Sequence, residues 1–265
     1  MKSTTTVYYP KTIKLSKTEY TYNGKVQTPS VTVKDSKGNT LKKDTDYTVK
    51  LESGRKAPGK YTVTITFKGN YSGTKKLTYT IAPKATSKVT ATQTTTAITL
   101  KWNKVTGAEG YRIYKYNSKT KTYEKYKDVT GTTLTISKLK SGTKYKFKVR
   151  AFTKDDGTIM GAYSSVFETA TKAKTPTLKA TSTKKGTASL SWTNVTGESG
   201  YQVYYATKKN GTYKKLDSYK VNVVKGSKSK LTSGKTYYFK VRAYTKTESG
   251  TVYSAWSTVK SVKIK

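Results

Sequence analysis

"KYKFKVRAF" at residues 144–152 and "TYYFKVRAY" at 236–244 are one strand written twice. In both, aromatic, aliphatic and small residues alternate with cationic or aromatic ones, the period-two pattern of a strand with one face buried and the other turned out. With Tyr145, Phe147, Val149 and Ala151 inside, Lys146, Lys148, Arg150 and Phe152 are expected outside. The second strand buries Tyr237, Phe239, Val241 and Ala243, and turns out Tyr238, Lys240, Arg242 and Tyr244.

The repetition extends beyond these nine residues. "LKWNKVTGAEGYRIYKY" (100–116) aligns with "LSWTNVTGESGYQVYYA" (190–206), and "LKSGTKYKFKVRAF" (139–152) with "LTSGKTYYFKVRAY" (231–244). A period of about 90 residues fits a self-contained sandwich and is too long for a solenoid unit. In "GYRIYKY", Tyr111 and Ile113 face inward, leaving Arg112, Tyr114 and Tyr116 outside; Gln202 and Tyr204 take the corresponding outer places in the second copy.

Upstream, "YTVTITF" (61–67) sets Tyr61, Val63, Ile65 and Phe67 against Thr62, Thr64 and Thr66, and "VTVK" (31–34), "YTVKL" (47–51) and "LTYTI" (77–81) alternate in the same way. Turn signals such as "NG" at 23–24, "SKGN" at 36–39 and "KGNYSG" at 68–73 separate them, the pattern of short antiparallel strands in a sandwich. The expected fold is all-β: three tandem β-sandwich modules at 1–83, 84–174 and 175–265. Two short linkers, "IAPKATSK" (81–88) and "TKAKTPTLK" (171–179), favour an extended rod with limited bending.

The second and third modules resemble the fibronectin type III family. Trp102 and Trp192 on the second strand, "GY" opening the third (Tyr111, Tyr201), and the LxxGxxY pattern from Leu139 to Tyr145 and from Leu231 to Tyr237 carry the resemblance. It implies seven-stranded sandwiches in which Tyr145 and Tyr237 act as tyrosine corners, their hydroxyls bonded to nearby backbone. It also implies that Trp256 in "YSAWS" packs at the sheet edge. The family's RGD tripeptide is absent from "TKDDGTIMGA" (153–162) and "TKTESGTVYSA" (245–255). The first module, through "YNGK", "DTDYTV" and "GNYSGT", resembles small immunoglobulin-like repeats of Gram-positive surface and secreted proteins. Such tandem modules act as spacers, adhesive units or accessories to a separate catalytic domain.

Composition narrows the chemistry. The chain has 53 Lys plus Arg against 14 Asp plus Glu, a formal charge of +39, with no His and no Cys. The commonest general base, the commonest neutral metal ligand and all thiolate chemistry are therefore missing, so neither an enzyme nor a cofactor is expected. The charge is shared among the modules, with 16 basic against 5 acidic residues in 1–83, 19 against 6 in 84–174, and 18 against 3 in 175–265. A dedicated nucleic-acid domain would concentrate it, so no specific nucleic-acid partner is expected. No window reaches the roughly 18 consecutive apolar residues of a membrane helix, and "MKSTTTVYYPKTIKL" lacks an apolar run of signal-peptide length. The abrupt start and the end in "VKIK" suggest a piece of a longer secreted or cell-surface protein, itself monomeric.

Two roles are open to the outer strand faces, which gather Arg112, Tyr114, Tyr116, Lys146, Lys148 and Arg150 in one module and Tyr204, Tyr238, Lys240, Arg242 and Tyr244 in the next. Rings and cationic stems can simply cover the sheet and pair across strands. Alternatively they form a shallow platform for anionic cell-wall polymers or glycans, or for stacked sugars. The carboxylate pairs Asp44/Asp46 and Asp155/Asp156 offer too few oxygens for calcium and read as turn and cap residues. "KGNYSGTKK" reads as a hairpin turn, not a phosphate loop, because no helix follows it.

Overall fold

The computed structural model describes residues 9–265; "MKSTTTVY" (1–8), part of the first predicted module, lies outside the described residues. Regular structure among the described residues is β throughout, in three successive sandwiches.

The first contains β1 (Pro10–Leu15), β2 (Glu19–Thr21), β3 (Val31–Asp35), β4 (Tyr47–Leu51), β5 (Gly59–Phe67) and β6 (Thr74–Ala82). A β1–β3 ribbon faces a sheet of order β2-β6-β5-β4 in which β2 runs parallel to β6. The predicted alternation holds on β5: Tyr61, Val63 and Ile65 join Val33, Leu41, Tyr47, Tyr79 and Ile81 in the core, while the intervening threonines remain partly solvated.

The second sandwich comprises β7 (Thr90–Gln93), β8 (Ile98–Lys101), β9 (Gly110–Asn117), β10 (Thr122–Val129), β11 (Thr133–Ile136), β12 (Lys144–Lys154), β13 (Thr158–Tyr163) and β14 (Phe167–Ala170). The third repeats it with β15 (Leu178–Thr181), β16 (Ala188–Trp192), β17 (Gly200–Ala206), β18 (Lys214–Lys220), β19 (Lys225–Lys228), β20 (Thr236–Thr247), β21 (Gly250–Tyr253) and β22 (Lys260–Lys263). In each, a three-stranded sheet (β11-β8-β7; β15-β16-β19) covers a larger one (β10-β9-β12-β13 with β14 on β12; β18-β17-β20-β21 with β22 on β20). β13 and β14, like β21 and β22, are two pieces of one last strand, each pairing with its own stretch of the long strand beside it.

The opening strands are β12 and β20. Phe147, Val149 and Ala151, like Phe239, Val241 and Ala243, have no exposed surface. Trp102 and Trp192 are buried against Tyr111 and Tyr201, and both indole N–H groups lack a hydrogen-bond acceptor, so these tryptophans contribute by packing. The tyrosine corners are present: the Lys140 N–H donates to the Tyr145 hydroxyl at 3.2 Å, and the Thr232 N–H to that of Tyr237 at 3.3 Å. Tyr111 and Tyr201 add a second tie, each hydroxyl accepting from the backbone N–H of Val105 or Val195 at 2.7 and 3.0 Å.

One expected facing needs correction. Phe152 lies on the outward side of β12 but is buried, because Gly110 stands opposite it on β9 and the bare backbone accepts the ring; a Cβ at Gly110 would come within 3.0 Å of three ring atoms. Tyr244 covers Gly200 in the same manner in the third sandwich.

Candidate functional site: outer sheet faces and joints

The outer-face residues do not form one platform. In the second sandwich, Lys148 lies 4.5 Å from the Tyr123 ring and 5.2 Å from that of Tyr163, and Arg150 stacks 4.4 Å from Tyr163. Arg150 also donates to the Gly161 carbonyl at 2.7 Å. Tyr114 meets Tyr163 edge-on at 5.1 Å, and Tyr116 meets Tyr123 at 5.2 Å. In the third, Lys240 lies over Tyr213 and Trp256, while Arg242 stacks on Tyr253 at 3.7 Å and Trp256 at 4.4 Å and donates to Gln202. Tyr204 meets Trp256 at 4.9 Å, and Tyr244 meets Tyr253 at 6.4 Å. Trp256 thus sits inside a ladder of rings and cations, and Tyr238 is half-buried at its end. Each cation–π contact is worth about 0.5–2 kcal/mol, so the ladders are occupied from within.

Arg112 is engaged differently. Its Nε and Nη2 grip both oxygens of Asp128 on β10 at 2.8 and 2.9 Å, with Lys125 at 2.9 Å from the same carboxylate. These bonds, chiefly that from Arg112, hold the Asp128 carboxyl down to about 2 and raise the guanidinium further above its ordinary value. Because the folded-state value is depressed, the pair stabilises fully above the unfolded carboxyl's range and fades as pH falls from about 4 through 2. Asp128→Asn should cost about 1–2 kcal/mol at pH 7, allowing for partial solvent screening, and should flatten this part of the acid limb in urea titrations.

Lys146 stays on the outer face but is engaged at its edge by its cross-strand partner on β14 and by the third sandwich. It reaches Glu168 on β14 at 3.2 Å and, from the third sandwich, Glu248 in the β20–β21 turn at 3.0 Å. The Glu248 N–H donates to Glu168 at 3.3 Å, and Lys144 stands 3.7 Å away. Burial pushes the Glu168 carboxyl up, but the Lys146 and backbone bonds outweigh it and leave the group below its ordinary value. Beside this cluster, the Gly142 backbone lies directly against that of Thr196 and Gly197.

The same joint occurs one sandwich earlier. Asp156, at the β12–β13 turn and in the place of Glu248, binds the Lys60 ammonium of the first sandwich at 2.6 Å, while Asp155 accepts the Lys60 N–H at 2.7 Å. The Lys60 bond lowers the Asp156 carboxyl. Gly107, the counterpart of Gly197, carries Pro58 so closely that a Cβ there would stand 2.5 Å from its Cδ. Asp155 and Asp156 are therefore joint residues and not merely turn residues. Their partner lies 95 and 96 residues away, which no local pattern could reveal.

Residues 82–164, which carry the second sandwich's first ladder and the Asp155–Asp156 turn, match the fibronectin type III domain family. They are a fibronectin type III domain. The chain is also 35% identical over 146 residues to chitinase A1 of Niallia circulans, an alignment covering 48% of this chain and 20% of that protein. The chain thus spans about a fifth of that relative's length. Among solved structures, a segment of two fibronectin type III domains from chicken tenascin aligns at 18% identity, covering 68% of this chain and 98% of that one with a TM-score of 0.42. The FN1–FN3 domains of chicken CNTN1 align at 19% identity over 98% and 100% of the two chains, with a TM-score of 0.39.

Proposed function

We propose that this chain is a non-catalytic spacer of a larger secreted or cell-surface protein, dividing at 83/84 and 174/175 into an immunoglobulin-like module and two fibronectin type III modules. The observation that carries this reading is the repeated joint. At equivalent positions, a glycine of the following sandwich meets the preceding one, and an acidic turn takes hold of one of its lysines. Four of the 14 acidic residues, Asp155, Asp156, Glu168 and Glu248, stand at these joints, between bodies that are all strongly positive. Net repulsion would otherwise splay the modules.

The remaining positive charge supports weak, distributed adsorption of the monomer to anionic polymers or glycans. With heparin as the probe polyanion, affinity should fall steeply as NaCl rises from 50 mM to about 500 mM, within the range of surface screening. Removing four lysines from any one module should weaken it only modestly. Retention in 1 M NaCl, or complete loss from changes in one module, would count against this reading.

The likeness to chitinase A1 favours a second reading, in which the chain is a carbohydrate-binding accessory of a polysaccharide-degrading enzyme. Such binding would survive high salt and depend on one or two tyrosines.

A further inference from the structure

Resting on the accessory reading, the geometry points to a site for a pyranose chain in a groove of the second sandwich built around Tyr126, a residue outside both ladders. The groove, about 510 Å³, lies at one end of the larger sheet and is lined among others by Tyr116, Glu124, Tyr126, Lys144, Tyr145 and Glu168. Its volume is within the range of small-ligand clefts.

Tyr126 is placed by a bulge. Pairing of β10 with β9 slips between Lys125 and Lys127, so Tyr126 has no partner across the ladder. A bulge re-aims the side chain it carries. The ring is 43% exposed, lies outside the core cluster, and among the described residues has no hydrogen bond or ring contact. The third sandwich supplies an internal control: the same bulge occurs on β18, where Leu216 packs onto the core. The framework tyrosine and phenylalanine are retained there, whereas Tyr116, Glu124, Tyr126 and Lys144 correspond to Ala206, Lys214, Leu216 and Thr236. The groove chemistry is therefore peculiar to the second sandwich and is not required by the fold.

The lining selects the ligand. A simple anion would face the carboxylates of Glu124 and Glu168, and the lysines around them are already engaged: Lys125 by Asp128, Lys144 and Lys146 by Glu168, Lys146 also by Glu248, and Lys115 over the Tyr145 ring. A wholly apolar molecule would desolvate these same charges. A pyranose ring offers one apolar CH face for the Tyr126 phenol and an edge of neutral hydroxyls. These can donate to Glu124 Oε2, the oxygen left over when Oε1 accepts from Asn117 and Thr120, and accept from Lys144 without displacing its 3.7 Å contact to Glu168.

Neutral β-linked hexasaccharides of glucose, of N-acetylglucosamine and of mannose, titrated into the full chain in 0.5 M NaCl and followed by amide NMR, test this directly. At least one should shift the amides of 115–118, 124–126 and 143–146. Tyr126→Ala should weaken binding by about tenfold or more, and Tyr126→Phe should retain it. Because Tyr126 lies outside the core, the melting temperature of the alanine variant should match that of the parent. Shifts confined to the outer ladders, or binding unaffected by Tyr126→Ala, would overturn the groove while leaving the accessory reading intact. No response to any of the three would overturn both.

Discussion

Replacing Gly197 by alanine should release the third sandwich from the second. Gly197 has φ +79°, a left-handed conformation strained for any residue with a Cβ, and the added carbon would run into the backbone of Gly142. Backbone cannot rotate aside as a side chain can, so the two surfaces must separate. Once apart, Lys146 and Glu248 are too far for their contact, and two bodies carrying 19 and 18 basic residues repel. The expected result is independent tumbling of the third sandwich, seen as a shorter rotational correlation time in amide ¹⁵N relaxation, with its own fold intact. An unchanged correlation time would show that the glycine contact does not set the joint. Gly107→Ala should act in the same direction at the first joint, because its φ is +74° and the added carbon would meet the Pro58 ring, which is closed on the backbone and cannot rotate aside.

Trp192→Ala should strongly destabilise the third sandwich while leaving the other two in place. The indole is 5% exposed, meets Tyr201 at 5.7 Å and Tyr219 at 5.0 Å, and spans the space between the two sheets. Deleting a ring of this size from a closed core costs about 3–5 kcal/mol, a large fraction of the roughly 5–15 kcal/mol that holds a domain together. Because its core is drawn only from residues 173–264, the loss stays local. Calorimetry should show one transition falling on the order of 15–30 °C while the rest of the trace holds its position. A single cooperative shift of the whole trace would mean that the three cores do not fold separately.

Fold and joints differ in how much the sequence reveals. Burial of Phe147, Val149 and Ala151 is legible because strand alternation is local: each residue's facing follows from its neighbours. Trp102, Tyr145 and their counterparts are legible for a related reason, since the same residues recur in order in two copies. Phe152 escapes this logic because its cover depends on a glycine opposite it on another strand. The joints are harder still. Lys146 and Glu248 are 102 residues apart, and in a chain with 53 basic residues nothing local marks Lys60 or Lys146 as the two that are gripped. Of the outer-face set, Tyr114, Lys148 and Arg150 do gather, as do Tyr204, Lys240 and Arg242, but they satisfy one another. Tyr126 was hidden because a bulge, which breaks the alternation used to read strands, decides its direction.

The joints fix the spacing of the sandwiches, and the absence of cysteine makes that spacing directly measurable. Thr48→Cys on β4 and Ser218→Cys on β18 lie at exposed positions in the first and third sandwiches, and spin labels there report on both joints at once. Double electron–electron resonance at neutral pH should give one narrow distance distribution, broadening when Gly197→Ala is added. A distribution already broad in the parent chain would mean that the joints do not hold the sandwiches at a fixed spacing.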